Sequence, residues 1–80
     1  MDISILFFGM ATDLAGNQHT SFPLNKSIGL EEFKNMLFEK HPDLKQMHQF
    51  AIAINEEYAD EDAVINPGDT IAIIPPVSGG

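Results

Sequence analysis

The chain has no cysteine and no arginine among its 80 residues. Without cysteine there is no disulfide scaffold, no thiolate metal site and no cysteine nucleophile. Any sulfur carried covalently must therefore sit on another group. Basic residues are also scarce: four Lys stand against 12 Asp and Glu, for a net charge of −8. Such a chain grips phosphate poorly, so nucleic acid is not an expected partner. Anionic membrane surfaces should repel it, and partners should present basic surfaces. No apolar run approaches the ~20 residues needed to span a bilayer. The start, Met1-Asp2-Ile3-Ser4, lacks the basic segment of a secretory signal, so a cytoplasmic location is expected. The length allows one small domain, with no cavity between domains to hold an active site. A chain this size buries only about 60–65% of its unfolded surface, so its core is marginal.

What is present is a run of short, alternating apolar segments. Residues 2–9 read as a strand, with Ile3, Ile5 and Phe7 on one face and Ser4, Leu6 and Phe8 on the other. Residues 10–17 read as a loop closed by Gly16-Asn17. Thr20, Phe22 and Leu24 alternate with polar neighbours and suggest a second strand, which Pro23 confines to an edge or a strand end. The spacing predicts one helix over residues 28–40, with Ser27 as N-cap and Glu31, Glu32 and Lys40 placed to suit its dipole. Leu30, Phe33 and Leu37 share its apolar face, with Met36 beside them, and Pro42 stops it near His41. Residues 43–49 read as a polar connection, and Phe50 to Ile54 as a strand suited to a buried central position. Residues 55–62 are an acidic loop or a short strand with a turn. Asn66-Pro67-Gly68-Asp69 is a turn, and Thr70 to Ile74 is the last strand. This order predicts an α+β domain: a mixed sheet with one main helix on one face, in the ubiquitin-like β-grasp order. The domain would cover residues 1–74, and residues 75–80 would form an extended tail.

The residue inventory offers little for catalysis. His19, His41 and His48 form no ligand motif. The acidic residues Glu56, Glu57, Asp60, Glu61 and Asp62 lack the glycine and terminal Glu spacing of a calcium loop and read as a solvated loop; no metal is expected. The serines lie in no nucleophile elbow, and no glycine-rich phosphate loop is present. The chain is not expected to catalyse anything alone.

The exception is the ending, Pro75-Pro76-Val77-Ser78-Gly79-Gly80. Pro75-Pro76 cannot continue a ladder and favours an extended course. Val77 and Ser78 lengthen it, and Gly79-Gly80 ends it without side chains. Fully extended, such a segment reaches about 20 Å. A tip without Cβ atoms threads a narrow channel and exposes its terminal carboxylate to both sides. A carboxylate is a poor electrophile, but adenylation makes it a mixed anhydride that a sulfur nucleophile can attack. The product is a thioester or a thiocarboxylate.

These segments resemble the molybdopterin synthase small-subunit family, which are ubiquitin-like sulfur carriers. The resemblance covers essentially the whole chain. It is most specific in Leu6-Phe7-Phe8-Gly9 leading to Leu14-Ala15-Gly16, in Ala53-Ile54-Asn55-Glu56-Glu57, in Pro67-Gly68-Asp69-Thr70-Ile71-Ala72, and in the ending from Ile74 to Gly80. It implies that Gly80 is adenylated by a ubiquitin-activating-type enzyme using ATP and converted to a thiocarboxylate. It implies docking on a large catalytic subunit, in a heterotetramer, and sulfur donation to cyclic pyranopterin monophosphate to build the molybdopterin dithiolene. No cofactor would be bound by this chain itself. Gly79 would give clearance, Pro75, Pro76, Val77 and Ser78 would form the stalk, and Phe8, Tyr58 and Ile74 would form an apolar docking surface. Core packing is the alternative for those three. The chain departs from the family where Thr12-Asp13 stands in place of a frequent Arg-Glu pair. Sulfur carriers for thiamine thiazole synthesis or tRNA thiolation end in the same dipeptide, and a ubiquitin-like protein modifier would use the same activated tail. A plain interaction domain with an inert tail is a further alternative.

Overall fold

The computed structural model describes residues 1–47 and 49–76. The first apolar alternation forms β1 (Asp2–Phe7), followed by a short helix α1 (Met10–Ala15) and by β2 (His19–Pro23). β3 (Ile28–Gly29) runs directly into α2 (Leu30–Lys40), which is followed by a 3-10 turn over Pro42–Gln46. Then come β4 (Ala51–Ile54), β5 (Glu57–Tyr58), β6 (Val64–Ile65) and β7 (Thr70–Ile74). Five strands make one sheet in the order β2-β1-β7-β4-β5, and β3 pairs with β6 in a separate two-stranded sheet. The β1–β7 pair is parallel and the other pairs are antiparallel. This is the mixed sheet and single main helix that the spacing predicts.

The core lies between the sheet and α2. Ile3, Ile5 and Phe7 of β1, Ile71 and Ile73 of β7, Ile52 of β4 and Phe22 of β2 are all buried. They form one cluster with Phe33 and Leu37 of α2, and Leu30 and Met36 pack partly buried against it. Each such side chain contributes about 1.5–3 kcal/mol when fully buried.

Four expectations are corrected. Residues 10–17 contain α1 instead of a plain loop: Ala11 packs into the core, and Gly16 closes the helix at φ 78°, its N–H donating to the Thr12 carbonyl at 2.9 Å. Six residues are fewer than two helical turns, too short for an apolar period to register. The main helix starts at Leu30, with Gly29 and not Ser27 as N-cap. Ile28 and Gly29 are already engaged with Ile65 and Val64, and the Ser27 hydroxyl donates to Asn66 Oδ1. The connection after α2 is not uniformly polar, since Leu44 and Met47 are buried. The first strand ends at Phe7 rather than Gly9. β4 takes the expected interior place, paired with β7 on one side and β5 on the other, with Ile52 and Ala53 buried, while β7 holds the middle of the sheet.

Two turns hold the far end of the sheet. Asn55 and Glu56 link β4 to β5 with φ of 51° and 72°, the left-handed geometry of a two-residue hairpin loop. The Asn55 side chain donates to Asp69 Oδ1 at 3.0 Å and accepts from the Thr70 N–H at 2.9 Å. The expected Asn66–Asp69 turn forms, with Gly68 at φ 92° and the Asp69 N–H donating to the Asn66 carbonyl at 3.1 Å.

Candidate functional site

The tail springs from the central strand. β7 ends at Ile74, which pairs with Ala51 of β4. Pro75 follows half-buried and Pro76 exposed. Neither proline has an N–H, so the ladder stops there for a chemical reason. Val77, Ser78, Gly79 and Gly80, expected to form the rest of the stalk and its reactive tip, lie outside the described residues, as does His48.

The strand alternation that buries Ile71 and Ile73 turns Ala72 and Ile74 to the opposite face of the sheet. Register carries that face across four strands. Leu6 of β1 pairs with Ala72, Ala72 with Ala53 of β4, and Ala53 with Tyr58 of β5. Ile74, Ala51 and Phe8 lie one step further along, toward the tail. Tyr58 and Ile74 line one shallow depression of about 310 Å³ together with Phe50, Pro75 and Pro76. Phe8 stands on the other side of β7, its N–H donating to the Ile73 carbonyl at 3.3 Å. Phe8 is 49% exposed and Tyr58 75% exposed, while Ile74 is half-buried. The structure thus brings Tyr58 and Ile74 against the root of the tail and leaves Phe8 on its opposite flank.

A corner just after β1 completes the surroundings of the root. Gly9 has φ 54° and ψ −133°, and a Cβ placed on it would come within 3.0 Å of the Pro75 ring. The corner is tied by the Thr12 hydroxyl, which donates to the Phe7 carbonyl at 2.9 Å. The Ala11 and Thr12 N–H groups donate to the Phe8 and Gly9 carbonyls at 3.0 and 3.1 Å. Thr12 therefore serves the corner, while Asp13 is exposed on α1. Sequence reasoning missed Gly9. Gly9 stood there only as the end of the first strand and of the Leu6-Phe7-Phe8-Gly9 motif, with no role of its own, and its partner lies 66 residues later (75 − 9).

The remaining polar groups mostly serve the turns. Asp60 accepts from the Asp62 N–H at 3.2 Å, and Asp69 from the Asn66 N–H at 2.8 Å. Among the described residues no group of three His, Asp or Glu side chains is arranged to hold a metal ion. No helix among them is long and apolar enough to cross a membrane. His41 stacks edge-on against Phe7 with ring centroids 5.6 Å apart. Its Nε2 is buried without a hydrogen-bond partner among the described residues. Burial first, and the Lys40 charge second, hold its pKa below the usual imidazole range.

The ThiS family model matches residues 5–80. The molybdopterin synthase sulfur carrier subunit of Caenorhabditis briggsae is 33% identical over 89 aligned residues, covering 100% of this chain and 99% of the relative. A chain of the complex of subunits 1 and 2 of molybdopterin-converting factor from Helicobacter pylori is 28% identical, with TM-score 0.69 and full coverage of both chains. SAMP1 from Haloferax volcanii superposes with TM-score 0.85 over the whole of both chains, at 21% identity, a likeness of fold.

Proposed function

This chain belongs to the ThiS family, and from that premise we propose that it is the sulfur carrier subunit of a molybdopterin synthase. The observation that carries the reading is the end-to-end match to sulfur carrier subunits of that synthase, at 33% identity. The Helicobacter pylori relative, described as part of a complex of subunits 1 and 2, supports a large-subunit partner.

The chemistry starts at the carboxylate of Gly80. On a separate ubiquitin-activating-type enzyme the carboxylate attacks the α-phosphorus of ATP, pyrophosphate leaves, and an acyl adenylate forms. A sulfide-level nucleophile attacks the acyl carbon, the C–O bond to AMP breaks, and a thiocarboxylate remains. In the large subunit the thiocarboxylate sulfur bonds to a side-chain carbon of cyclic pyranopterin monophosphate as that carbon's C–O bond breaks, the oxygen leaving with its electron pair as a phosphate oxygen or as water. Water then cleaves the resulting acyl–sulfur bond, returning the Gly80 carboxylate and leaving the sulfur on the substrate. Two such transfers make the dithiolene. No redox step is required of the carrier, and the absence of cysteine suits a chain whose cargo sits on its carboxyl end.

Within this reading Pro75 to Ser78 form the stalk, Gly79 gives clearance in the partner's channel, and Phe8, Tyr58 and Ile74 dock the apolar outer face on the large subunit. The chain's net charge of −8 speeds its encounter with basic partner surfaces at low salt. The lack of arginine leaves the phosphates of ATP and of the pterin to those partners.

Intact mass spectrometry after incubation with ATP, the activating enzyme and a sulfur source tests the reading. The expected result is a gain equal to one oxygen exchanged for sulfur, located at Gly80. A chain lacking Gly80 should keep its melting temperature and gain nothing. An unchanged mass with a competent activating enzyme, and no adenylate, overturns the carrier reading.

A further inference from the structure

We propose that Gly9 is a positioning residue for the sulfur-carrying tail: its bare Cα forms the notch in which the Pro75 ring seats, fixing the direction in which the chain leaves β7. The inference rests on reading the tail as the reactive segment, and it goes beyond that reading by assigning a role to a residue at the opposite end of the sequence.

Two independent features of Gly9 carry it. The first is clearance. A Cβ at this position would lie 3.0 Å from Pro75 Cγ and 3.9 Å from Pro75 Cδ, so the ring must move to admit any side chain. The obstacle is a cyclic side chain fused to the backbone, not the tip of a flexible one, so moving it moves the main chain at the root of the tail. The second is conformation. φ 54° with ψ −133° is the mirror image of the extended polyproline region, which glycine visits freely and L side chains do not.

The surroundings make the notch rigid. On one side the Phe8 N–H is bonded to the Ile73 carbonyl, two residues before Pro75. On the other, Thr12 Oγ1 and the first N–H groups of α1 hold the Phe7, Phe8 and Gly9 carbonyls. The corner is thus referenced to β7 by a hydrogen bond and to α1 by three more. Pro75 leaves the sheet against a fixed surface, and its ring cannot rotate away about φ. A tail that must deliver one atom into a partner's site gains from such a base, since small errors of aim there grow with the length of the stalk.

The test is a cycle of G9A, P75A and G9A/P75A in the full chain. Alanine at position 9 carries the same backbone strain whether or not the ring is present, so the comparison isolates the Gly9–Pro75 packing. Sulfur transfer from pre-thiocarboxylated chain to the large subunit's substrate is read as kcat and KM. Melting temperature and the nuclear Overhauser cross-peak between Gly9 Hα and Pro75 Hγ are read beside them. In G9A, kcat should fall on the order of tenfold, with KM for the large subunit nearly unchanged; the cross-peak is read in the parent chain, since the Hα facing Pro75 is the one that alanine replaces. The effect of G9A on kcat should shrink severalfold when measured in the P75A background. Equal kcat losses from G9A with and without the Pro75 ring overturn the proposal, as does a G9A chain of normal kcat. If G9A is too unstable to assay, G9S at lower temperature is put through the same cycle. A wild-type chain that shows the cross-peak but never accepts sulfur counts against the carrier reading, and with it against the role given to Gly9.

Discussion

The two faces of the central sheet are built from the same strands and differ by one step of the pleat. On the inner face Ile3, Ile5, Phe7, Ile71 and Ile73 are closed off by α2. On the outer face Leu6, Phe8, Ala51, Ala53, Tyr58, Ala72 and Ile74 are apolar too, yet no element of the described chain lies over Phe8 or Tyr58. A sheet with one solvated face ordinarily alternates apolar and polar residues. Here the second face departs from that pattern, and it departs most around the point where the tail begins. The inner face explains why the chain folds. The outer face is apolar surface that folding does not use, and it surrounds the segment proposed to carry the chemistry.

The comparison breaks most violently from the inside. Phe33→Ala should cost about 3–5 kcal/mol of stability. A domain of this size holds only on the order of 4–12 kcal/mol in total, so chemical denaturation should show a large drop in midpoint or a chain already partly unfolded. A loss under about 1 kcal/mol would mean that the inner face is not the core described. On the outer face the balance reverses. Phe8→Asp should leave the denaturation midpoint within about 0.5 kcal/mol of the parent. It should weaken binding to the large subunit about tenfold or more in calorimetry. A Phe8→Asp chain that misfolds would move Phe8 into the core and erase the distinction.

The smallest expected effect concerns His41, whose ring meets the inner layer at Phe7. Burial and Lys40 lower its folded pKa below the reference of 6.5, so folding favours the neutral ring. The unfolded chain then binds the proton more readily. The stabilising contribution is present above pH 6.5 and is lost as pH falls through the lower, folded value. Thermal melts of the parent and of His41→Phe between pH 7.5 and about 5 should diverge, with the parent losing more on acidification. Parallel curves would remove His41 from the account.

The long elements were legible because each carried its own period. β1 and β7 alternate over five or six residues, and Phe33 and Leu37 mark the buried side of α2. What was not legible depends on partners distant in sequence. Two-residue strands such as Ile28–Gly29 and Val64–Ile65 show no period of their own and exist because they pair with each other. That pairing also moved the start of α2 past Ser27. Leu44 and Met47 sit in a polar-looking stretch and find the core only through the turn that Pro42 begins. At the candidate site the tail motif stands in the linear sequence, and Phe8, Tyr58 and Ile74 came forward as docking candidates only through the family resemblance. The role of Gly9 was not legible, because its meaning is its distance to Pro75.

The parallel pairing of β1 with β7 has a mechanical consequence. β7 is gripped on both sides, by β1 and by β4, and the tail continues directly from its end. Both ladders run across the direction in which a withdrawing tail would be tugged. A pull on Pro75 along the strand therefore loads those hydrogen bonds together, in shear, and does not peel them one at a time. In the proposed role, where a partner holds the tail at its tip, that load falls on the middle of the sheet and not on an edge strand, as a handle is fixed through the middle of a tool and not glued to its edge.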